Sequence, residues 1–163
     1  DGFRGAVLQM MAHGFVVVGL FFAAEIIYRR LDTRVISEMG GIRIQAPAFA
    51  SMFMILVFAS ISLPSTFNFI GEFTVLYGLF QIDMWFAIIG GMTIILGAYY
   101  MLKLYQHSML GETNIKVFKD VTFSEGLVMV SIIGVIMFFG FYPKPLTDLI
   151  TPSLETILLQ INR

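Results

Sequence analysis

Glu72 is the only formally charged residue between Arg43 and Asp83, and it lies inside an apolar stretch running from Pro47 to Ile82. An ionised carboxylate in such surroundings is costly, so it is held neutral, paired or hydrated. Those conditions suit a group that takes up and releases protons; the plainer role is a structural carboxylate that closes a helix end by hydrogen bonding. His13 sits in a second apolar stretch beside Met10, Met11 and Phe15. Imidazole is the side chain that titrates nearest neutrality, so His13 serves either as a proton relay or as a neutral ring bonded to a helix carbonyl. Lys103, four residues before His107, either hands protons toward the adjoining loop or simply snorkels to a membrane interface. Glu25 stands four residues before Arg29, a favourable helix ion-pair spacing, and pairing is its expected role. No acid or second histidine stands at ligand spacing beside His13, which argues against a metal centre. The absence of cysteine excludes disulfides and thiol chemistry within this chain. No phosphate loop, dinucleotide fingerprint, haem ligand pair or nucleophile triad is present.

The stretch carrying Glu72 reads FASISLPSTFNFIGEFTVLYG from Phe58 to Gly78. Pro64 lacks a backbone donor and its ring crowds the preceding turn, so the helix is expected to break between Leu63 and Asn68. Pro64, Ser65, Thr66 and Asn68 define that break. With Ser60 and Ser62 they offer side chains to bond the freed carbonyls or to line a hydrated path. Lipid offers no hydrogen-bond partners, so a broken helix with a carboxylate must face a protein interior or a wet cavity, as in transporter ion pathways.

The elements around this break are expected to be membrane spans. Hydrophobic residues make up 58% of the 163 and charged residues only 13%, about half the share of a soluble domain. Uncharged runs cover Gly5–Ala24, Ile44–Gly71, Met84–Leu102 and Gly126–Pro143, each near the ~20 residues that cross a bilayer. The fold class is therefore all-α: a polytopic membrane protein with four transmembrane helices over about 5–28, 47–80, 84–105 and 123–143. Pro47 suits the first position of the second helix. Thr122 to Glu125 has capping-box spacing ahead of the fourth, and Pro143 with Pro145 stops it. The tail, 144–163, is expected to form a short amphipathic helix, with Thr151-Pro152 as cap and first turn and Leu154, Ile157, Leu158 and Ile161 on one face.

Seven basic residues flank loops 29–46 and 103–122 (Arg29, Arg30, Arg34, Arg43, Lys103, Lys116, Lys119), against Arg4, Lys144 and Arg163 on the other side. This bias places the two long loops in the cytoplasm. A net charge of −1 argues against a nucleic-acid partner. The opening at Asp1, without a methionine, is expected of the C-terminal piece of a longer membrane protein.

Several stretches carry a family resemblance. They are Ala12-His13 followed by Gly19-Leu20-Phe21-Phe22, the run Tyr28 to Arg34, Met39-Gly40-Gly41-Ile42, Leu63 to Phe73 with its Asn-Phe-Ile-Gly-Glu-Phe core, and Gly140-Phe141-Tyr142-Pro143. Together they resemble the C-terminal third of the antiporter-like M-type subunits (chain 4) of the proton-pumping NADH–quinone oxidoreductases, respiratory complex I. The related L-type subunits usually carry lysine where Glu72 stands. The resemblance implies two five-helix repeats of inverted topology, each with a broken helix and half of a proton path, of which this chain holds the end of the second. By motif match Glu72 resembles the terminal acid of that path and His13 the histidine of its central hydrophilic axis; the acid and lysines of the earlier part would lie upstream of Asp1. Two departures stand out: the family commonly has Pro-Gly where this chain has Pro64-Ser65, and often glycine where it has Glu25.

The implied function is a proton-translocating membrane subunit in the bacterial cytoplasmic membrane, coupled to electron transfer in partner subunits. No cofactor is expected in this chain. Flavin and iron–sulfur clusters belong to partners, and neighbouring antiporter-like subunits and the lipid bilayer are its contacts. The alternatives are a subunit of a multisubunit sodium/proton antiporter or membrane-bound hydrogenase, and a purely structural membrane subunit.

Overall fold

The computed structural model describes residues 2–112, 115 and 117–161. Seven α-helices follow one another in this range: α1 (Gly2–Leu31), α2 (Ile42–Gln45), α3 (Pro47–Ser60), α4 (Phe67–Ile82), α5 (Met84–Met109), α6 (Phe123–Phe141) and α7 (Lys144–Ile161), with no strand among the described residues. Three of them, α1, α5 and α6, are long and apolar enough to cross a membrane. The fourth crossing is α3 and α4 in series, interrupted at residues 61–66, so the four-span architecture with one broken helix holds.

The break begins earlier than the sequence predicts, and Asn68 lies outside it, in the first turn of α4. A proline ring clashes with the carbonyl four residues upstream, and four residues before Pro64 is Ser60, where α3 ends. The chain leaves α3 through a Schellman motif: Leu63 N–H bonds the Phe58 carbonyl at 3.0 Å and Ser62 N–H the Ala59 carbonyl at 3.2 Å. A tight turn follows, closed by Thr66 N–H on the Leu63 carbonyl at 3.1 Å, with Pro64 and Ser65 at its centre. Ser62 and Ser65 hold φ of 56° and 82°, left-handed values that a Schellman end and a type II turn give to glycine.

The rest of the fold is organised along α1. Its buried residues Gly5, Leu8, Ala12, Val16, Gly19, Ala23 and Ile26 recur every three or four positions and form one seam. That seam runs antiparallel along both halves of the interrupted helix. A Cβ at Gly5 would lie 2.6 Å from the Val75 nitrogen, one at Gly71 would lie 2.7 Å from the Gln9 nitrogen, and one at Gly19 would lie 2.6 Å from Leu56. One continuous helix thus splints α3 and α4 across their gap. α6 covers the break itself: a Cβ at Gly140 would run into the Ser65 carbonyl, and the Phe139 ring lies 5.4 Å from Phe67. α5 returns beside α4 and reaches α3, where Tyr105 stacks on Phe53 at 5.9 Å and donates to the Ala50 carbonyl at 3.2 Å.

Both long loops meet at one end of the bundle. Arg30 Nη2 donates to Glu125 at 2.7 Å and to the Asp120 carbonyl at 3.1 Å, and Gly41 N–H bonds the Leu110 carbonyl at 3.1 Å. Gln45 accepts from Phe118 N–H at 2.7 Å. The capping box forms, with Thr122 and Glu125 bonding each other's backbone, and Pro47 takes the first position of α3. Of the basic residues weighed for orientation, Lys116 and Arg163 lie outside the described residues.

The tail departs from expectation. α7 starts at Lys144, with the Pro143 carbonyl accepting from Leu146 and Thr147, so Pro152 falls inside the helix and Thr151 bonds the Thr147 carbonyl rather than capping. Pro145 in the first turn supplies the helix start that Thr151-Pro152 promised in the sequence. Leu146 and Ile150 pack against the core; the side chains of Leu158 and Ile161 lie outside the described residues.

Candidate functional site: a carboxylate beyond a helix break

Glu72 enters α4 at the sixth position, just past the turn that replaces helix at 61–66. It is half-buried on the side of α4 that meets α1. There Gln9 Nε2 donates to Glu72 Oε1 at 3.0 Å. The approach is close because position 71 has no side chain: the Gln9 backbone occupies the space a Cβ would take. Asn68 precedes Glu72 by four residues on the same face and is 2% exposed. The side-chain oxygens of Gln9, Asn68 and Ser62 are all buried without a protein partner. Buried polar atoms thus lie in the break, at Ser62, and beside the carboxylate, at Asn68 and Gln9.

The break's hydroxyls divide their work. Ser60 donates to the Val57 carbonyl at 2.7 Å and Thr66 to the Leu63 carbonyl at 2.7 Å. Both carbonyls also accept backbone N–H groups, from Ile61 at 3.2 Å and Thr66 at 3.1 Å, so the hydroxyls act as second donors that tie the chain down on either side of the interruption. Ser65 presents its own carbonyl to Gly140.

His13 and Lys103 are not brought to Glu72. His13 lies one turn along α1 from Gln9 but is exposed, on a face it shares with Met10 and Gly14. Lys103 is exposed, its ammonium 5.2 Å from the Tyr99 ring, at the level of α3 rather than α4. Glu25 pairs with Arg29 at 2.8 Å, as its spacing predicts.

Sequence reasoning missed Gln9. Its only signal is a lone amide in an apolar run, four residues before His13. A cavity of about 680 Å³ between α1, α3 and α5, lined by Phe21, Phe53, Met101 and Leu104 with Glu25 and Arg34 at its polar margin, does not include Glu72. Among the described residues no three His, Cys, Asp or Glu side chains gather as metal ligands.

A bundle of membrane-crossing helices, one of them interrupted and carrying an acid just past the gap, defines a polytopic membrane domain of the transporter type. The chain belongs to the NADH:quinone oxidoreductase/Mrp antiporter transmembrane family, whose family model matches residues 1–97. It is similar to NADH-quinone oxidoreductase subunit M of Rickettsia typhi, at 42% identity over 98% of this chain and 33% of the relative. The subunit M of Rhodobacter capsulatus is 38% identical over 97% of this chain and 31% of the relative. Respiratory complex I from Thermus thermophilus contains a chain of the same fold, with a TM-score of 0.81 and 28% identity over 86% of this chain and 30% of that one. The chain spans about a third of the length of the curated relatives it matches. These matches and the apolar helices identify an integral membrane protein of the bacterial cytoplasmic membrane.

Proposed function

We propose that this chain is the C-terminal part of a proton-translocating membrane subunit of an NADH–quinone oxidoreductase, and that Glu72 is the group in it that takes up and releases protons. The observation that carries this reading is the Glu72 carboxyl itself, half-buried just past a helix break and hydrogen-bonded to an amide on a neighbouring helix. A half-buried carboxyl with polar neighbours suits a group that exchanges protons at membrane depth, where an unpaired charge is costly. The homology to subunit M supports the assignment to complex I. On this reading the electrons pass through flavin and iron–sulfur clusters in partner subunits, other antiporter-like subunits flank this one in the membrane, and the loops at 29–46 and 103–122 face the cytoplasm.

Glu72→Gln in the whole complex tests the proposal. The amide keeps the shape and a hydrogen bond but cannot release a proton at working pH. The complex should assemble, and its proton pumping should fall by about a hundredfold or more, the scale of losing a general acid–base group. NADH oxidation should fall with it where coupling is tight. Glu72→Asp should retain activity, and His13→Ala should be milder. Normal proton-to-electron stoichiometry in Glu72→Gln would overturn the proposal and leave a structural carboxylate.

The family also embraces Mrp antiporters, which supports a second reading, a sodium/proton antiporter subunit. It predicts sodium-dependent proton movement in vesicles without NADH, whereas the leading reading predicts none.

A further inference from the structure

We propose that Gln9 is the positioning partner of Glu72 through its whole proton cycle, its carboxamide donating to the carboxylate and, after turning over, accepting from the carboxylic acid. The inference deepens the proposed function and rests on that reading of Glu72.

A carboxyl group changes its hydrogen-bonding character when it takes a proton. Ionised, it only accepts; protonated, it gains an O–H that must be placed. A lysine or arginine partner would match the anion alone, and a carbonyl would match the acid alone. A primary amide carries both kinds of atom on one plane. Rotation about the Cγ–Cδ bond, a soft two-fold torsion, exchanges them.

The geometry around Gln9 fits that use. Its Nε2 donates to Glu72 Oε1 at 3.0 Å. Its Oε1 is buried and bonds no protein atom, so the acceptor half of the amide is unspent. A Cβ at Gly71 would stand 2.5 Å from that oxygen and 2.7 Å from the Gln9 nitrogen, so the bare α4 backbone leaves the amide its room. Neither His13 nor Lys103, the other titratable groups considered for the path, hydrogen-bonds Glu72 among the described residues, which leaves Gln9 as its protein partner. The proton balance is simple. Glu72 gains a proton from one side of the path and later loses it to the other, while Gln9 stays neutral and no heavy-atom bond changes.

The test uses the complete complex in membrane vesicles and four variants: Glu72→Gln, Gln9→Leu, Gln9→Glu, and the exchange Gln9→Glu with Glu72→Gln. The exchange sets the carboxyl on α1 and the amide on α4 in the same space. Assembly, NADH-driven pumping and the infrared carboxyl band that disappears in Glu72→Gln are measured. Gln9→Leu is expected to assemble and to lose about tenfold in pumping, the equivalent of one charge-assisted hydrogen bond. Its Glu72 band should move to the frequency of a carboxyl freed from that bond, and the exchange should recover much of the pumping that Glu72→Gln loses. Wild-type pumping with an unmoved band in Gln9→Leu would overturn the inference. Should Gln9→Leu fail to assemble, the exchange decides: pumping no better than Glu72→Gln alone overturns it. Normal pumping in Glu72→Gln would instead sink the proposed function itself, so the two failures are distinguishable.

Discussion

Ser65 sits at φ 82°, where an L residue is strained and glycine is not. Replacing it by glycine should stabilise the folded domain by about 1 kcal/mol, read as a higher midpoint of thermal unfolding in detergent. Gly140→Leu should do the reverse. Its side chain would have to displace the Ser65 carbonyl, and overpacking of this kind costs about 1–3 kcal/mol. Unchanged thermal midpoints in both variants would mean that the turn relaxes freely. The break was legible from Pro64, but its start was not, because a proline acts on the carbonyl four residues before it. Glu72 was legible as a charge in an apolar run. Gln9 was not, because it becomes a partner only when two helices 63 residues apart in sequence are set in register.

Consecutive arginines at the end of α1 illustrate how one sequence feature yields two kinds of contact. Arg29 and Glu25 are 73% and 45% exposed and lie one turn apart on the same helix, whereas Arg30 and Glu125 are 14% and 22% exposed and join α1 to α6. Water and salt screen the first pair, so Arg29→Gln should change stability by no more than a few tenths of a kcal/mol, roughly the worth of a helix-surface pair. Arg30→Gln removes a charge-assisted bond from a sheltered carboxylate and loosens the Phe118 ring, 5.2 Å from the guanidinium. It should cost about 2 kcal/mol. Thermal unfolding of the two variants side by side checks the contrast, and equal losses would refute it. The spacing of Glu25 and Arg29, and of Thr122 and Glu125, was plain in the sequence because both act within one turn. That Glu125 also holds Arg30, 95 residues away, was not. Thr151-Pro152 misled for a related reason: local start signals were doubled, and Pro145 came first.

The bundle as a whole gathers its two long loops at one end, joined by Arg30, Gly41 and Gln45 to the segment before α6. Charge bias therefore acts on one shared face, and both loops must lie on the same side of the membrane. Cysteines at Ser37 and Ser153, both exposed, should label from opposite sides of sealed vesicles, with Ser37 reached from the cytoplasm. Labelling of both from one side would refute the four-span topology. The loop junction also holds Asp120, whose carboxylate accepts from Ala48 N–H at 3.0 Å and Phe49 N–H at 2.9 Å at the start of α3. No neighbouring side chain caps that helix; Ala46 stands at its N-cap. On the ribosome, the 72 residues from Ala48 to Asp120 take roughly 4–14 s to emerge. Throughout that interval α3 is made without the carboxylate that its first amides bond in the folded chain, so the start of the interrupted helix waits for a residue that trails it. Nascent chains arrested at residue 118 should accordingly be cut near Pro47 by protease, and chains arrested far enough beyond Asp120 for that residue to have left the tunnel should resist. Equal cutting in both would show that the helix start settles without its late acid.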